Sequence, residues 1–374
     1  MRILFVTGGS PATVFPLTPL ATAARNAGHE VIVACNDETA DAVAGAGLAG
    51  LSVSPVPIRE HFSTDRSGSP VAAPAGPSEH AEYIGRGFGR MAAAYLAPLG
   101  RLAEQWRPDL VVGGMLCFSA PLLAARLGVP YVRHSWDSGE PPAFDTAAER
   151  ELRPELDRLG LDGVPAADLW IDICPPSVRP ADAPAAQPMR YVPCNLQQPL
   201  EPWMLGRSAG RRVCITAGTK VALGYFDDYL VELVGKVGEL DAEIVVAAPA
   251  AVAGNLTRRL GVRAGWLPLD VVARSCDLLV HHAGGGTALT GMAAAVPQLL
   301  IPNMPKLVPP SERLAGYGAA RMLLPGEDTP RTVAAAAEDL LTTPSYRERA
   351  AELAGEIAAM PAPAEVLGIV EKLS

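Results

Sequence analysis

The seven residues His281-His282-Ala283-Gly284-Gly285-Gly286-Thr287 have the types and spacing that hold a phosphate. Before them, Asp277 to His281 is a short apolar run with the pattern of a buried parallel strand, and an apolar helical pattern starts at Thr287. A helix start presents unpaired N–H groups and about half a positive charge, and glycines without Cβ let an anion come close to that backbone. Two common phosphate motifs do not fit. A Walker loop needs a Lys-Ser/Thr pair after its glycines, and a dinucleotide fingerprint needs a glycine where Leu289 stands. His281 and His282 do not make a metal pair, because neighbours on an extended strand point to opposite faces, so no metal is expected. The alternative at this point is a core histidine beside glycines that serve packing alone.

A second group lies near the N-terminus. Ile3 to Thr7 reads as a buried strand, Gly8-Gly9-Ser10-Pro11 as a loop, Thr13 to Ala27 as a helix and Glu30 to Cys35 as a strand, which makes a βαβ unit of an open parallel sheet. Ligands of such sheets gather beyond the C-terminal strand ends, which places Ser10 at the rim of a crevice. A second unit (strand Asp109 to Gly113, helix Ser119 to Leu127, strand Val129 to His134) carries His134-Ser135-Trp136-Asp137 to the same rim. Trp136 beside Asp137 would dry its surroundings, and partial desolvation raises a carboxylate's pKa and makes it a better base. The alternative is an Asp that caps the turn before Gly139 and Pro141.

Residues 52 to 85 are rich in Pro, Gly and Ser and lack periodicity, with Ile58, Phe62 and Tyr83 scattered among them. A long aperiodic stretch inside a domain is functional or disordered, so it is expected to be mobile, or else to be plain surface loop. Gly85 to Trp106 follows with a helical stripe that is mainly core, of which Phe88 and Met91 could also line a pocket. Residues 138 to 211 are rich in Pro, Ala and charge and end in a linker. Arg212 then opens a strand that ends at Gly218-Thr219-Lys220, a second strand-end turn able to help hold a phosphate. Strands at Glu243 to Ala248 and Val262 to Ala264 lead to Trp266 and back to the first motif.

The whole chain bounds these readings. Its 374 residues exceed one ordinary core and call for two domains. A formal net charge of −9 argues against nucleic acid or an acidic membrane as partner, since both are gripped by excess Lys and Arg. The six cysteines form no C-x-x-C pair and read as reduced, buried thiols. The N-terminal strand running into glycine lacks the apolar length of a signal peptide or membrane span, so the expected location is cytoplasmic.

Trp266-x-Pro268, His281-His282-x-Gly284-x-Gly286-Thr287, Gly291, Val296-Pro297-Gln298 and Pro302 together resemble the donor signature of nucleotide-sugar glycosyltransferases with the B-type fold. GGSPATVFPL, Ser135-Trp136-Asp137, DICPPS, LEPWM, LVHHAGG and LLPGEDT are similar to the antibiotic-pathway members, above all the angucycline olivosyltransferases of landomycin (O-linked) and urdamycin (C-linked) biosynthesis. The resemblance implies an α/β architecture of two Rossmann-like domains facing each other across a cleft. An N-terminal acceptor domain would span 1–200, a linker 201–211, a C-terminal nucleotide-sugar domain 212–360, and a C-terminal helix at 361–374 would return to the first domain. It implies Trp266 and Leu267 at the nucleotide base, and His282, Gly284, Gly285, Gly286 and Thr287 at the diphosphate, beside Gly218, Thr219 and Lys220.

The same resemblance implies an inverting, metal-independent transfer of D-olivose from dTDP-D-olivose to an angucycline aglycone, with no cofactor beyond that substrate. Asp137 would be the base, with Ser10 where many relatives carry a histidine. Ile58, Phe62, Tyr83, Phe88, Met91, His134 and Trp136 would line the acceptor site. The partners implied are the nucleotide-sugar donor and the aromatic polyketide acceptor, with a homodimer as an option. One departure stands out, since glucose-type relatives place an acid-amide pair where this chain has Lys306 and Leu307. A buried polar reader left without its partner costs ~1–3 kcal/mol, so losing the pair suits a sugar with fewer hydroxyls. Attack through a ring carbon would give C-glycosylation instead. Two readings of other classes are a nucleotide-sugar 2-epimerase, which needs acids at the sugar ring, and a non-catalytic helper protein, which would usually have lost parts of the diphosphate motif.

Overall fold

Apolar runs without alternation, such as Leu110-Val111-Val112 and Leu278-Leu279-Val280, are 0% exposed, as strands covered on both faces must be. A computed structural model of the chain describes every residue except 75, 140, 208, 219–226 and 239. The chain divides into two units, Met1–Ile173 with Asp182–Met189 and Pro361–Ser374, and Cys174–Ala181 with Arg190–Met360.

The first unit holds β1 (Arg2–Val6), β2 (Glu30–Asn36), β3 (Gly50–Ser54), β4 (Leu110–Gly114), β5 (Tyr131–His134), β6 (Leu169–Asp172) and β7 (Gln187–Pro188). They form one sheet in the order β3-β2-β1-β4-β5-β6-β7, with every pair parallel. The β1 and β5 strands flank β4, so the segments after them emerge at one edge of the sheet. The helix Pro363–Val370 packs on the helix Thr18–Asn26, and His29 Nε2 lies 2.7 Å from Glu371.

The second unit holds β8 (Arg211–Thr216), β9 (Ala242–Ala247), β10 (Arg263–Gly265), β11 (Leu278–His281), β12 (Gln298–Leu300) and β13 (Ala320–Met322), in the order β10-β9-β8-β11-β12-β13, again all parallel. Register pairs Thr216 with His281 and His281 with Leu300, which brings the ends of β8, β11 and β12 level. The last 30 residues of helix, Pro344–Leu373, contain a window apolar and long enough to cross a membrane, with a mean hydropathy of 1.4. They are two helices, Pro344–Ala359 and Pro363–Val370, broken at Met360–Ala362.

Prolines move several expected boundaries. The helix expected over Thr13 to Ala27 is two helices, Pro11–Val14 and Thr18–Asn26, because Pro16 has no N–H to continue the ladder. The expected strand Val129 to His134 starts at Tyr131, after Pro130. The helix expected from Gly85 begins at Pro77, where Gly76 is extended and proline suits the first helical position.

The stretch 52–85 differs most from expectation. It contains the end of β3, a helix at Ile58–Ser63 and the first turns of Pro77–Gln105, and it is tied down by charge. Arg66 pairs with Glu151 at 3.1 Å and Glu155 at 2.9 Å, and buried Arg90 donates to the His61 carbonyl at 2.6 Å. A six-residue helix is too short to show a period, which is why the sequence reads there as loop.

Candidate active site

In the second unit the chain leaves β11 at His281 and turns through Ala283, whose φ of 63° is unusual for a residue with a Cβ. The helix that follows is Gly285–Ala293, with Gly284 as its N-cap. It starts two residues before the expected Thr287, because glycine is a poor helix former and the apolar pattern begins only after the glycine run. Its first helical bond runs from the Ala288 N–H to the Gly284 carbonyl at 2.9 Å. The amides of Gly285, Gly286 and Thr287 therefore have no intrahelical acceptor and stand at the positive end of the helix dipole.

The His282 ring, 9% exposed, sits between two glycines. A Cβ on Gly284 would stand 2.5 Å from its Nε2, and one on Gly218 would stand 2.5 Å from its Cε1. His281 points the other way and is 0% exposed, with its Nε2 2.8 Å from Gln298 Oε1 and its Nδ1 accepting from the Ala283 N–H at 3.2 Å. The two rings are centred 6.5 Å apart, and both nitrogens of His281 are engaged internally.

Trp266 is half-buried and its indole N–H donates to the Leu196 carbonyl at 3.0 Å, while Leu267 packs in the core at 8% exposure. Gly218 closes β8 with a φ of 73° and donates its N–H to Thr216 Oγ1. Thr219 and Lys220 lie outside the described residues. Sequence reasoning gave no role to Tyr191, whose hydroxyl lies 3.1 Å from both the Gly286 carbonyl and Thr290 Oγ1. Burial raises its pKa, so the phenol stays protonated and donates to the first turn of the helix. The missed signal was a buried Tyr just before the linker.

In the first unit Ser10 caps the short helix Pro11–Val14 after β1, and Asp137 follows β5 in a bend; both are half-buried. A chain of aromatic rings joins their neighbourhoods. Ile58 and Phe88 close over Gly9, Phe88 lies 5.8 Å from Trp136, and Phe62 lies 5.4 Å from both Phe88 and Tyr83. The Phe62 ring seats on Gly87, where a Cβ would overlap it. Such tilted and edge-on pairs make an apolar wall whose partly exposed rings are Phe62, Tyr83 and Phe88, while Trp136 backs it from the core at 7% exposure.

Met91 and His134 do not join this wall. Met91 is 1% exposed and belongs to the core, since the helical stripe that carries it faces the sheet. His134 is 0% exposed, with its Nδ1 2.7 Å from the Ser135 carbonyl, and desolvation pushes its pKa down to about 4. It is a neutral core histidine, because the last residue of a central strand points into the packed layer.

Residues 22–218 match the N-terminal domain, and residues 231–373 the C-terminal domain, of the family described as erythromycin biosynthesis protein CIII-like. The chain belongs to this family. Among its relatives, the L-demethylnoviosyl transferase of Streptomyces niveus is 34% identical, over 98% of this chain and 96% of its own. The Streptomyces sp. SF2575 glycosyltransferase SsfS6, solved in complex with thymidine diphosphate, aligns with a TM-score of 0.89 and 34% identity, over 100% of this chain and 99% of that one. The spinosyn rhamnosyltransferase SpnG, solved with spinosyn aglycone, aligns with a TM-score of 0.87 and 29% identity, over 99% of this chain and 100% of that one. The two parallel Rossmann-like sheets are those of the GT-B fold. The protein is a dTDP-deoxysugar glycosyltransferase, acting on a polyketide or macrolide aglycone in antibiotic biosynthesis. The narrower expectation of olivose and an angucycline goes beyond these likenesses.

Proposed function

We propose that this transferase moves D-olivose, a 2,6-dideoxyhexose, from dTDP-D-olivose to a phenolic oxygen of an angucycline aglycone with inversion at the anomeric carbon. The observation that carries the reading is the aromatic wall of Phe62, Phe88 and Trp136 running between Gly9 and the segment of Asp137. A flat polycycle laid on such a wall would present its ring hydroxyl near a carboxylate. Asp137 takes the phenolic proton as the oxygen attacks the anomeric carbon, and the bond to the diphosphate breaks with its electron pair leaving on the dTDP oxygen. Ser10, at the end of β1, is assigned to orient the acceptor hydroxyl.

In this reading the first unit holds the acceptor and the second holds the donor. The amides of Gly285, Gly286 and Thr287 with His282 receive the developing diphosphate charge as fixed dipoles, so the departing group needs no metal. Trp266 and Leu267 border the base, and Gly218, Thr219 and Lys220 complete the diphosphate site. The dideoxy sugar is supported by the turn Pro305–Leu307, where Leu307 is 4% exposed and no acid-amide pair reads ring hydroxyls. Buried thiols at Cys35, Cys117, Cys214 and Cys276 support a cytoplasmic enzyme.

The test is an incubation of the protein with dTDP-D-olivose and an angucycline aglycone, followed by mass analysis of the product before and after mild acid. A gain of one dideoxyhexose that acid removes supports O-transfer. An acid-stable gain would move the bond to carbon, and no gain with any angucycline would overturn the assignment.

A further inference from the structure

We infer that Gln298 is a positioning residue for donor binding, which through His281 fixes both the left-handed Ala283 and the first turn of the helix Gly285–Ala293. The inference rests on the reading that this turn holds the diphosphate. Gln298 opens β12, is 0% exposed, and bridges two elements with its one amide. Its Oε1 lies 2.8 Å from His281 Nε2, and its Nε2 donates to the Ala288 carbonyl at 3.1 Å.

These contacts settle the tautomer of His281. The Ala283 N–H donates to Nδ1, so Nδ1 carries the lone pair and Nε2–H donates to Gln298. The relay therefore runs from the Ala288 carbonyl through Gln298 and His281 to the Ala283 amide, spanning the turn from behind. Gln298 also fills the space left by Gly291, where a Cβ would stand 2.6 Å from its Cδ. A non-glycine residue in the left-handed region persists only where its surroundings over-determine it, and here the imidazole bond to its amide does so. A polar side chain that merely needed satisfaction would not have to link the strand, the turn and the helix that together shape one anion site.

The full-length protein tests this with dTDP as the probe. In Gln298→Met the volume is kept and both bonds are lost. We expect the dTDP dissociation constant and the donor KM to rise about tenfold, with the acceptor KM unchanged. The ring 15N shifts should at the same time lose the single-tautomer signature of His281. His281→Asn places an oxygen where Nδ1 accepts from Ala283 and should stay within about threefold of the parent, whereas His281→Leu should bind like Gln298→Met. Unchanged dTDP affinity in folded Gln298→Met, or unchanged affinity in His281→Leu, would overturn the inference. If Gln298→Met does not fold, the His281 pair decides. His282→Ala separates the two readings: weakened binding there with an unaffected Gln298→Met sinks the relay alone, and unchanged binding in His282→Ala sinks the donor site and the relay together.

Discussion

The imidazole of His282 lies against Gly218, where a Cβ would stand 2.5 Å from its Cε1 and 3.0 Å from its Nε2. Gly284 confines the same ring from the other side, so two strand-end turns leave a slot that only glycines permit. The two glycines differ in backbone. Gly218 has a φ of 73°, while Gly284 at φ −59° and ψ 132° could carry any side chain. We predict that Gly284→Ala, which adds bulk without backbone strain, displaces the ring and weakens dTDP binding about tenfold with little change in Tm. Gly218→Ala should weaken binding similarly and also lose ~1 kcal/mol or more of stability from its left-handed backbone. Calorimetric titration with dTDP alongside thermal unfolding checks both, and an unchanged affinity in Gly284→Ala would remove the ring from the anion site.

In the proposed reaction Asp137 acts on the acceptor only. Asp137→Asn should therefore lower turnover by about 10²–10⁴-fold, the usual worth of a positioned base, while dTDP binding stays nearly intact. Single-turnover product formation with saturating donor measures the first quantity and titration measures the second. Equal turnover in the variant would take the base role away from Asp137.

Much of this was legible in the residues, for physical reasons that can be named. Buried parallel strands are short runs of one kind of side chain, and β1, β4, β8 and β11 were each readable within a residue or two. The glycine turn after β11 was readable because its residues are consecutive. What stayed hidden depends on partners far apart in sequence. Phe62 meets Gly87 and Phe88 only once the segment 58–70 has been tied to Glu151 and Glu155 by Arg66, and nothing local announces that. Gln298 looked like one more member of a motif until the fold set it against His281, 17 residues away. Met91 and His134 were misassigned because a stripe or a strand end fixes which face a residue is on, not whether that face is covered.

Stability should fall on mild acidification. His134 and His281 are fully enclosed, and desolvation pushes both down to about 4, against opposing bonds from the Ser135 carbonyl and Gln298. Below about pH 6.5 the unfolded chain takes up protons that the native state refuses, so the native state loses ground until about pH 4. Each histidine adds a slope of up to about 1.4 kcal/mol per pH unit in that window. Urea unfolding at pH 7.5, 6.0 and 5.0 should show the loss, and His134→Asn should flatten the profile by about one histidine's share. An identical slope in that variant would mean that His134 is not held neutral.

Phe88 and Met91 stand one turn apart on the same helix and should fail in different ways. Phe88 is partly exposed within the wall and touches Gly9, so Phe88→Ala should raise the acceptor KM about tenfold while leaving dTDP binding unchanged. Met91 is enclosed by the core, so Met91→Ala should lower stability by ~2–5 kcal/mol and leave the acceptor KM of the folded fraction alone. Steady-state kinetics with each substrate varied in turn, set beside unfolding curves, separates the two effects. If Phe88→Ala destabilises the fold but leaves the acceptor KM where it was, the aromatic chain from Phe62 to Trp136 is packing and the acceptor lies elsewhere.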